Sequence, residues 1–244
     1  MGPFPDGVYR AQFPYYYRNP EGMPQEAALD YYLNSIKDVF EQCGPADSIA
    51  AIVVQPLQGE GGFIPAPIEW VKAVRKICDE NGILLVADEV QTGFCRTGRM
   101  FATQYWEEAG VQPDILATAK SIAAALKTIE IMEGDDLAGR SCEIGEKVSK
   151  RFNEWKEKYP VIGDVRGLGG MIGLEFVKDQ KSKEPYPEFS AAVISGCAKK
   201  GLMIEGAGTY GNVIRFLAPL VMTDEQLEAG LDIYESVIKE LLEK

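Results

Sequence analysis

Ile49-Ala50-Ala51-Ile52-Val53-Val54, followed by a segment from Pro67 to Asn81 and then by Ile83-Leu84-Leu85-Val86-Ala87, decides the fold of this chain. The two short apolar runs are continuous rather than alternating, as expected of strands buried on both faces. Between them Trp70, Val71, Val74, Ile77 and Cys78 fall on one stripe at helical spacing. Pro67 suits a first helical turn and Gly82 a C-terminal cap. Strand, helix and strand make a βαβ unit, so the spacing predicts a parallel sheet covered on both faces, with Asp114 to Ala119 as a further strand. The class is α/β.

Upstream, residues 1–24 carry five prolines and the Tyr15-Tyr16-Tyr17 cluster without a period, an extended opening that needs a surface to pack against. Core or interface packing is the first reading of those tyrosines, and a substrate entrance the second. Leu29, Leu33, Ile36, Val39 and Phe40 predict an amphipathic helix over 25–42. Downstream of Leu126 the pattern predicts a helix to about Tyr159, a strand over Ile172 to Val177, and a helix over Glu188 to Lys200. Strands over Leu202 to Glu205 and Val213 to Leu217 and a last helix follow. Thr223-Asp224-Glu225-Gln226 has the form of a capping box at the start of that helix. Gly167-Leu168-Gly169-Gly170 reads as turn glycines before a strand, and Lys147, Lys150, Lys156 and Lys158 among glutamates read as a solvated helix face. The expected division is a large domain over 1–150 and a small α+β domain over 151–244.

The 244 residues are 46% apolar and 25% charged, the composition of an ordinary globular protein. A net charge of −12 repels phosphate backbones and anionic surfaces, so no nucleic acid and no membrane is expected as a partner. The absence of histidine removes Ser-His-Asp and Cys-His nucleophiles and histidine metal sites, leaving acid-base work to lysine, carboxylates or a cofactor. Five scattered cysteines without a CxxC pair read as reduced thiols of a cytoplasmic protein, with no metal site. The start lacks a basic region and an apolar stretch, so no export signal or anchor is expected.

In open α/β sheets the ligand crevice lies beyond the carboxyl ends of the strands. Three places therefore matter: Gln55 to Gly62, Asp88 to Phe94, and Thr118-Ala119-Lys120-Ser121. They bring a Glu, an Asp and a Lys towards one rim. Taken singly, Lys120 is a solvated lysine, Asp88 a turn or cap residue, Glu60 a loop charge, Arg215 a surface ion pair and Gln91 a side-chain cap.

Four blocks in order change that reading: Gln58-Gly59-Glu60-Gly61-Gly62-Phe63, then Asp88-Glu89-Val90-Gln91-Thr92-Gly93-Phe94-Cys95-Arg96-Thr97-Gly98, then Thr118-Ala119-Lys120-Ser121-Ile122-Ala123-Ala124, and Gly208-Thr209-Tyr210-Gly211-Asn212-Val213-Ile214-Arg215-Phe216-Leu217. With them the chain, from about Tyr9 to Leu242, resembles the class III, fold-type I aminotransferases, in particular their 4-aminobutyrate aminotransferase-like group. The resemblance implies a partial PLP-transferase large domain, a mainly parallel sheet with flanking helices, followed by the small C-terminal domain. It implies pyridoxal 5′-phosphate (PLP) as cofactor, Lys120 as the lysine that bonds it and moves a proton, and Asp88 against the pyridine nitrogen. Val90 and Gln91 would complete the cofactor contacts, Gln91 donating to the ring oxygen. Arg215 would grip the substrate carboxylate, for which a planar fork is better shaped than an ammonium. Glu60 would pair with an arginine and help admit donor and acceptor alike.

Family members are longer. The segment that cradles the cofactor phosphate has no counterpart before the first block, Ser121 to Glu130 joins the lysine block directly to a later helix, and Gln55 stands where Glu is usual. The resemblance thus implies an N-terminally truncated member with an internal deletion. It is expected to be a homo-oligomer that moves an amino group from an ω-amino acid to a 2-oxo acid, with impaired activity. The alternative is a non-catalytic remnant acting through packing or partner binding.

Overall fold

In the computed structural model, which describes residues 6–118 and 122–243, the chain begins with α1 (Gln25–Gln42), β1 (Ala51–Val54), β2 (Leu57–Gln58), β3 (Ile64–Pro65), α2 (Ile68–Asn81), β4 (Leu84–Asp88), α3 (Thr103–Glu108) and β5 (Ile115–Ala117). It continues with α4 (Ile122–Gly134), α5 (Leu137–Lys158), β6 (Ile162–Leu168), β7 (Met171–Phe176), α6 (Pro187–Lys199), β8 (Glu205–Ala207), β9 (Val213–Phe216) and α7 (Asp224–Leu242). Two compact units form, and no single cut separates them. The first takes Met1–Val54, Ala66–Asp88 and Tyr105–Ala117; the second takes Gln55–Pro65, Glu89–Gln104 and Thr118–Lys244.

The first unit holds the expected βαβ element. β1 and β5 flank β4 in a parallel sheet, with Val53, Val86 and Ile115 in one cross-strand row. Gly82, at φ +67°, closes α2 in the left-handed region, and Ile83 donates its N–H back to the Cys78 carbonyl at 3.0 Å. Val54, Leu85 and Ala87 are buried on one face in a core with Ala28, Tyr32 and Ile36 of α1 and Trp70, Val71 and Val74 of α2. The opposite face departs from the expectation of a doubly covered sheet. Val53 is 66% exposed, and Leu84 and Ile115 are exposed with it. The helices of this unit serve one face only. Asp114 ties the sheet to α2, its Oδ2 accepting from Arg75 and from the Leu85 N–H, each at 2.7 Å. The opening segment finds its surface here, with the Phe13 ring 5.5 Å from Trp70 and the Tyr16 hydroxyl donating to Glu69 at 3.0 Å.

The second unit carries an antiparallel sheet in the order β6-β7-β9-β8. Phe152 and Trp155 of α5 pack with Tyr234 of α7 in its core, ring centroids 5.0 to 5.7 Å apart. The capping box forms as read, with Thr223 and Gln226 bonding reciprocally. Three readings need correction. The long helix expected before Tyr159 is two helices, because Asp136 turns left-handed at φ +45° and its carboxylate caps Gly139. A whole strand, β6, precedes the expected β7; its Asp164, Arg166 and Gly167 hide the apolar signal, while Gly169, at φ +50°, makes the turn. The strand expected from Leu202 begins only at Glu205, because Gly201 and Leu202 complete the end of α6, the Leu202 N–H bonding to the Cys197 carbonyl.

Candidate functional site

Asp88 is the last residue of β4 and lies in register with Ala117, the last of β5. The segment leading to Lys120 thus leaves the sheet at the edge where Asp88 stands. Lys120 itself lies outside the described residues. Val90, one of the expected cofactor contacts, is exposed.

Glu89 separates functionally from its neighbour. It is buried to 1% exposure, and its carboxylate accepts from the Thr103 N–H at 2.6 Å and from the Thr92 hydroxyl. It fastens the segment that carries Gln91. Gln91 in turn lies against Gly59: a Cβ added there would come within 1.6 Å of Gln91 Oε1. Any side chain at 59 would have to push the Gln91 amide aside, so glycine here leaves that amide its place. Gln91 Oε1 is buried without a hydrogen-bond partner, so this amide retains unused bonding capacity.

The loop bearing Glu60 is held at three points. Gly62, at φ +112°, donates to the Gly59 carbonyl at 3.0 Å; Gly208 donates to the Glu60 carbonyl at 2.9 Å; and Arg166 Nε donates to the Gly62 carbonyl at 2.9 Å. Arg166 is anchored in its turn by Asp164 at 2.9 Å and by the buried Glu175 at 2.7 Å, whose other oxygen accepts from Asn212.

On this frame Glu60 and Arg215 meet. Arg215 donates through Nη1 to Glu60 Oε1 at 2.5 Å, and through Nε and Nη2 to Oε2 of Glu205 at 3.1 and 2.5 Å. The Arg215 side chain is 15% exposed, against 76% for Glu60 and 71% for Glu205. Burial works against the guanidinium charge, but the bonds to Glu60 and then Glu205 outweigh it and hold Arg215 above its ordinary value. A mostly withdrawn arginine is thus bonded by two solvated carboxylates.

Sequence reading passed over Glu205, Arg166, Glu175 and Glu89. Glu205 had a signal, since it lies directly opposite Arg215 on the neighbouring strand. The other three carry no signal of their own, because a charged residue with a partner a few residues away, such as Glu89 with Thr92 or Arg166 with Asp164, reads in sequence like any solvated one, and only the fold buries it. Among the described residues no cluster suits a metal ion, and no helix is long and apolar enough to cross a membrane.

Comparison with known proteins matches this frame. The profile described as aminotransferase class-III covers residues 1–126 and 121–238, in two segments that meet just after Lys120. The chain is 37% identical over 274 aligned positions to a probable 4-aminobutyrate aminotransferase of Bacillus subtilis strain 168, covering 98% of this chain and 62% of that protein. It is 38% identical over 276 positions to the 5-aminovalerate aminotransferase DavT of Pseudomonas putida, covering 99% of this chain and 62% of that one. Among solved structures it resembles an amine transaminase from an uncultivated Pseudomonas species in its PLP-bound form, with TM-score 0.82 and 28% identity over 93% of this chain and 60% of that one. The chain belongs to the class III aminotransferase family, whose members depend on PLP. It spans about 62% of the length of the curated relatives it matches. Since the aligned stretch of 274 positions exceeds its 244 residues, the relatives also carry residues within the match that it lacks.

Proposed function

We propose that this chain carries the substrate-recognition and ring-side groups of a PLP-dependent transaminase that moves an amino group from an ω-amino acid, 4-aminobutyrate or one like it, to a 2-oxo acid. The observation that carries the reading is Arg215, a mostly buried guanidinium held in place and capped by the exposed Glu60. That is the arrangement needed to receive a carboxylate in one half of a transamination and to be neutralised in the other. The group meant for the ring nitrogen fits a pyridinium cofactor, being a carboxylate at the carboxyl end of a parallel strand; of the Gln91 amide it is the nitrogen, not the unpartnered oxygen, that suits the ring oxygen.

Bound PLP supplies an electron sink for the carbon that bears the amino group. With PLP bound, Asp88 would keep the proton on the ring nitrogen, Gln91 and Val90 would contact the ring, and Lys120 would hold the cofactor and carry the proton to and from the reacting carbon. Arg215 fixes the far carboxylate of the substrate by its planar fork, and Glu60 swings aside or returns according to the substrate. Val53, Leu84 and Ile115, on one bare face, support self-association of this chain. All five cysteines are free, which supports a cytoplasmic setting.

The test is to add PLP to the 244-residue chain, reduce with borohydride and map the labelled peptide. Label on Lys120, lost in Lys120→Ala, is the expected result. Label spread over other lysines, or none at millimolar PLP, overturns the reading in favour of a non-catalytic remnant.

A further inference from the structure

We infer that Glu205 is a specificity-determining residue of the Arg215 site, a carboxylate fixed across the strand pair that sets how readily this arginine accepts the carboxylate of a substrate. The inference rests on the reading of Arg215 as a carboxylate grip. A guanidinium offers two bidentate edges, Nε with Nη2 and Nη1 with Nη2. Glu205 takes the first with a single oxygen, while Glu60 bonds Nη1, at the second.

The two glutamates are held differently. Glu60 sits on a loop and reaches Arg215 across 155 residues of sequence. Glu205 sits in β8 directly opposite Arg215 in β9, so the sheet itself keeps its backbone at that distance. When Glu60 leaves to admit a substrate, Glu205 stays, and the incoming anion is offered only the Nη1 and Nη2 edge. It also approaches an arginine whose charge is already matched. With Glu60 gone, Arg215 and Glu205 sum to zero, so the incoming carboxylate meets no net positive charge. Because Glu205 is 71% exposed, solvent screens this opposition, and the effect is a tuning of affinity rather than a block.

The experiment uses the full 244-residue chain and glutarate, an unreactive five-carbon dicarboxylate, at constant ionic strength and without PLP. Binding is followed by calorimetry and by the Arg215 Nε–H resonance. Glu205→Gln keeps an oxygen for the fork and removes the charge, so glutarate should bind about fivefold more tightly than to the wild-type chain. Glu205→Asp, with its charge drawn back by one methylene, should fall between the two. A neutral five-carbon diamide should bind no variant. If Glu60→Gln tightens binding and Glu205→Gln does not, Glu205 is only a sheet ion pair and this inference fails while the reading of Arg215 stands. If Arg215→Lys binds glutarate as well as the wild-type chain, or if no variant binds it, that reading fails first and takes this one with it.

Discussion

Two arginines of the second unit, Arg166 and Arg215, each meet two carboxylates, yet the pairs serve opposite ends. Arg166 bonds Asp164 and Glu175 with all three side chains withdrawn from water, Glu175 to 1% exposure. Arg215 is almost as withdrawn, but its partners Glu60 and Glu205 stand in solvent. A carboxylate that has lost its water cannot leave its cation without a large cost, whereas a solvated one leaves for little. The first cluster is therefore a rivet under the Glu60 loop, whereas the carboxylates of the second are solvated, as the proposed exchange of partners at Arg215 requires. The residue types are the same; the burial of the acid decides the role.

The sharpest way to break the comparison is Arg166→Met, which takes the guanidinium away from the buried Glu175. The expected loss is about 3 to 5 kcal/mol of stability in urea unfolding, the cost typical of breaking one side of a buried ion pair. A loss no larger than that of an exposed pair would mean that Glu175 is not the buried anchor described here.

Next in size stands a pair of neighbours. Glu89→Gln puts an amide where a buried carboxylate accepts the Thr103 N–H and the Thr92 hydroxyl, and should cost about 1 to 3 kcal/mol. Asp88→Asn should disturb the fold less while removing PLP-dependent labelling and half-transamination with an amino donor. Glu89 is thus not a neutral control for Asp88. Equal effects of both variants on stability and on cofactor chemistry would erase the distinction.

Glu235 lies between the two extremes and adds a pH test. Its burial raises the carboxyl, but bonds from Tyr159, Lys158, Lys239 and Arg151 outweigh that and bring it down to about 2. A carboxylate whose folded value is depressed contributes stability above its unfolded value, near 4.3, and loses it as pH falls towards 2. Urea midpoints of the wild-type chain should therefore fall over that window. Glu235→Gln, lower at pH 7, should fall less steeply, and parallel curves would rule out this group as the source.

How much of this was legible in the sequence follows from how local each signal is. α2 announces itself through its own stripe and caps, and α7 through Thr223 and Gln226, because every interaction involved lies within one or two turns. Glu60 and Arg215 were legible only as parts of blocks resembling a family, since nothing within ten residues of either tells that they meet. Arg166 was invisible for a further reason: its strand interrupts the apolar pattern with two glycines and two charges, and its three partners come from the Gly62 loop, β6 and β7. The regrouping of 55–65 and 89–104 with the C-terminal half belongs to the same class, a tertiary fact without a local trace.

The smallest expected effect on stability is that of Arg215→Lys, and its smallness is the point. The stem stays packed and the charge remains, while the fork that bonds Glu60 and Glu205 together is lost. Since both acids are solvated, the fold should lose no more than about 1 kcal/mol, and less at high salt. Function should respond more strongly than stability. A lysine offers one point charge in place of a bidentate edge, so the carboxylate is held but no longer aligned. The concentration of carboxylated donor needed for half-transamination should rise, whereas that of a donor without a carboxylate should stay as it was. A loss of stability as large as that of Arg166→Met, with the donor dependence unchanged, would make Arg215 a second rivet and leave the chain without its substrate grip.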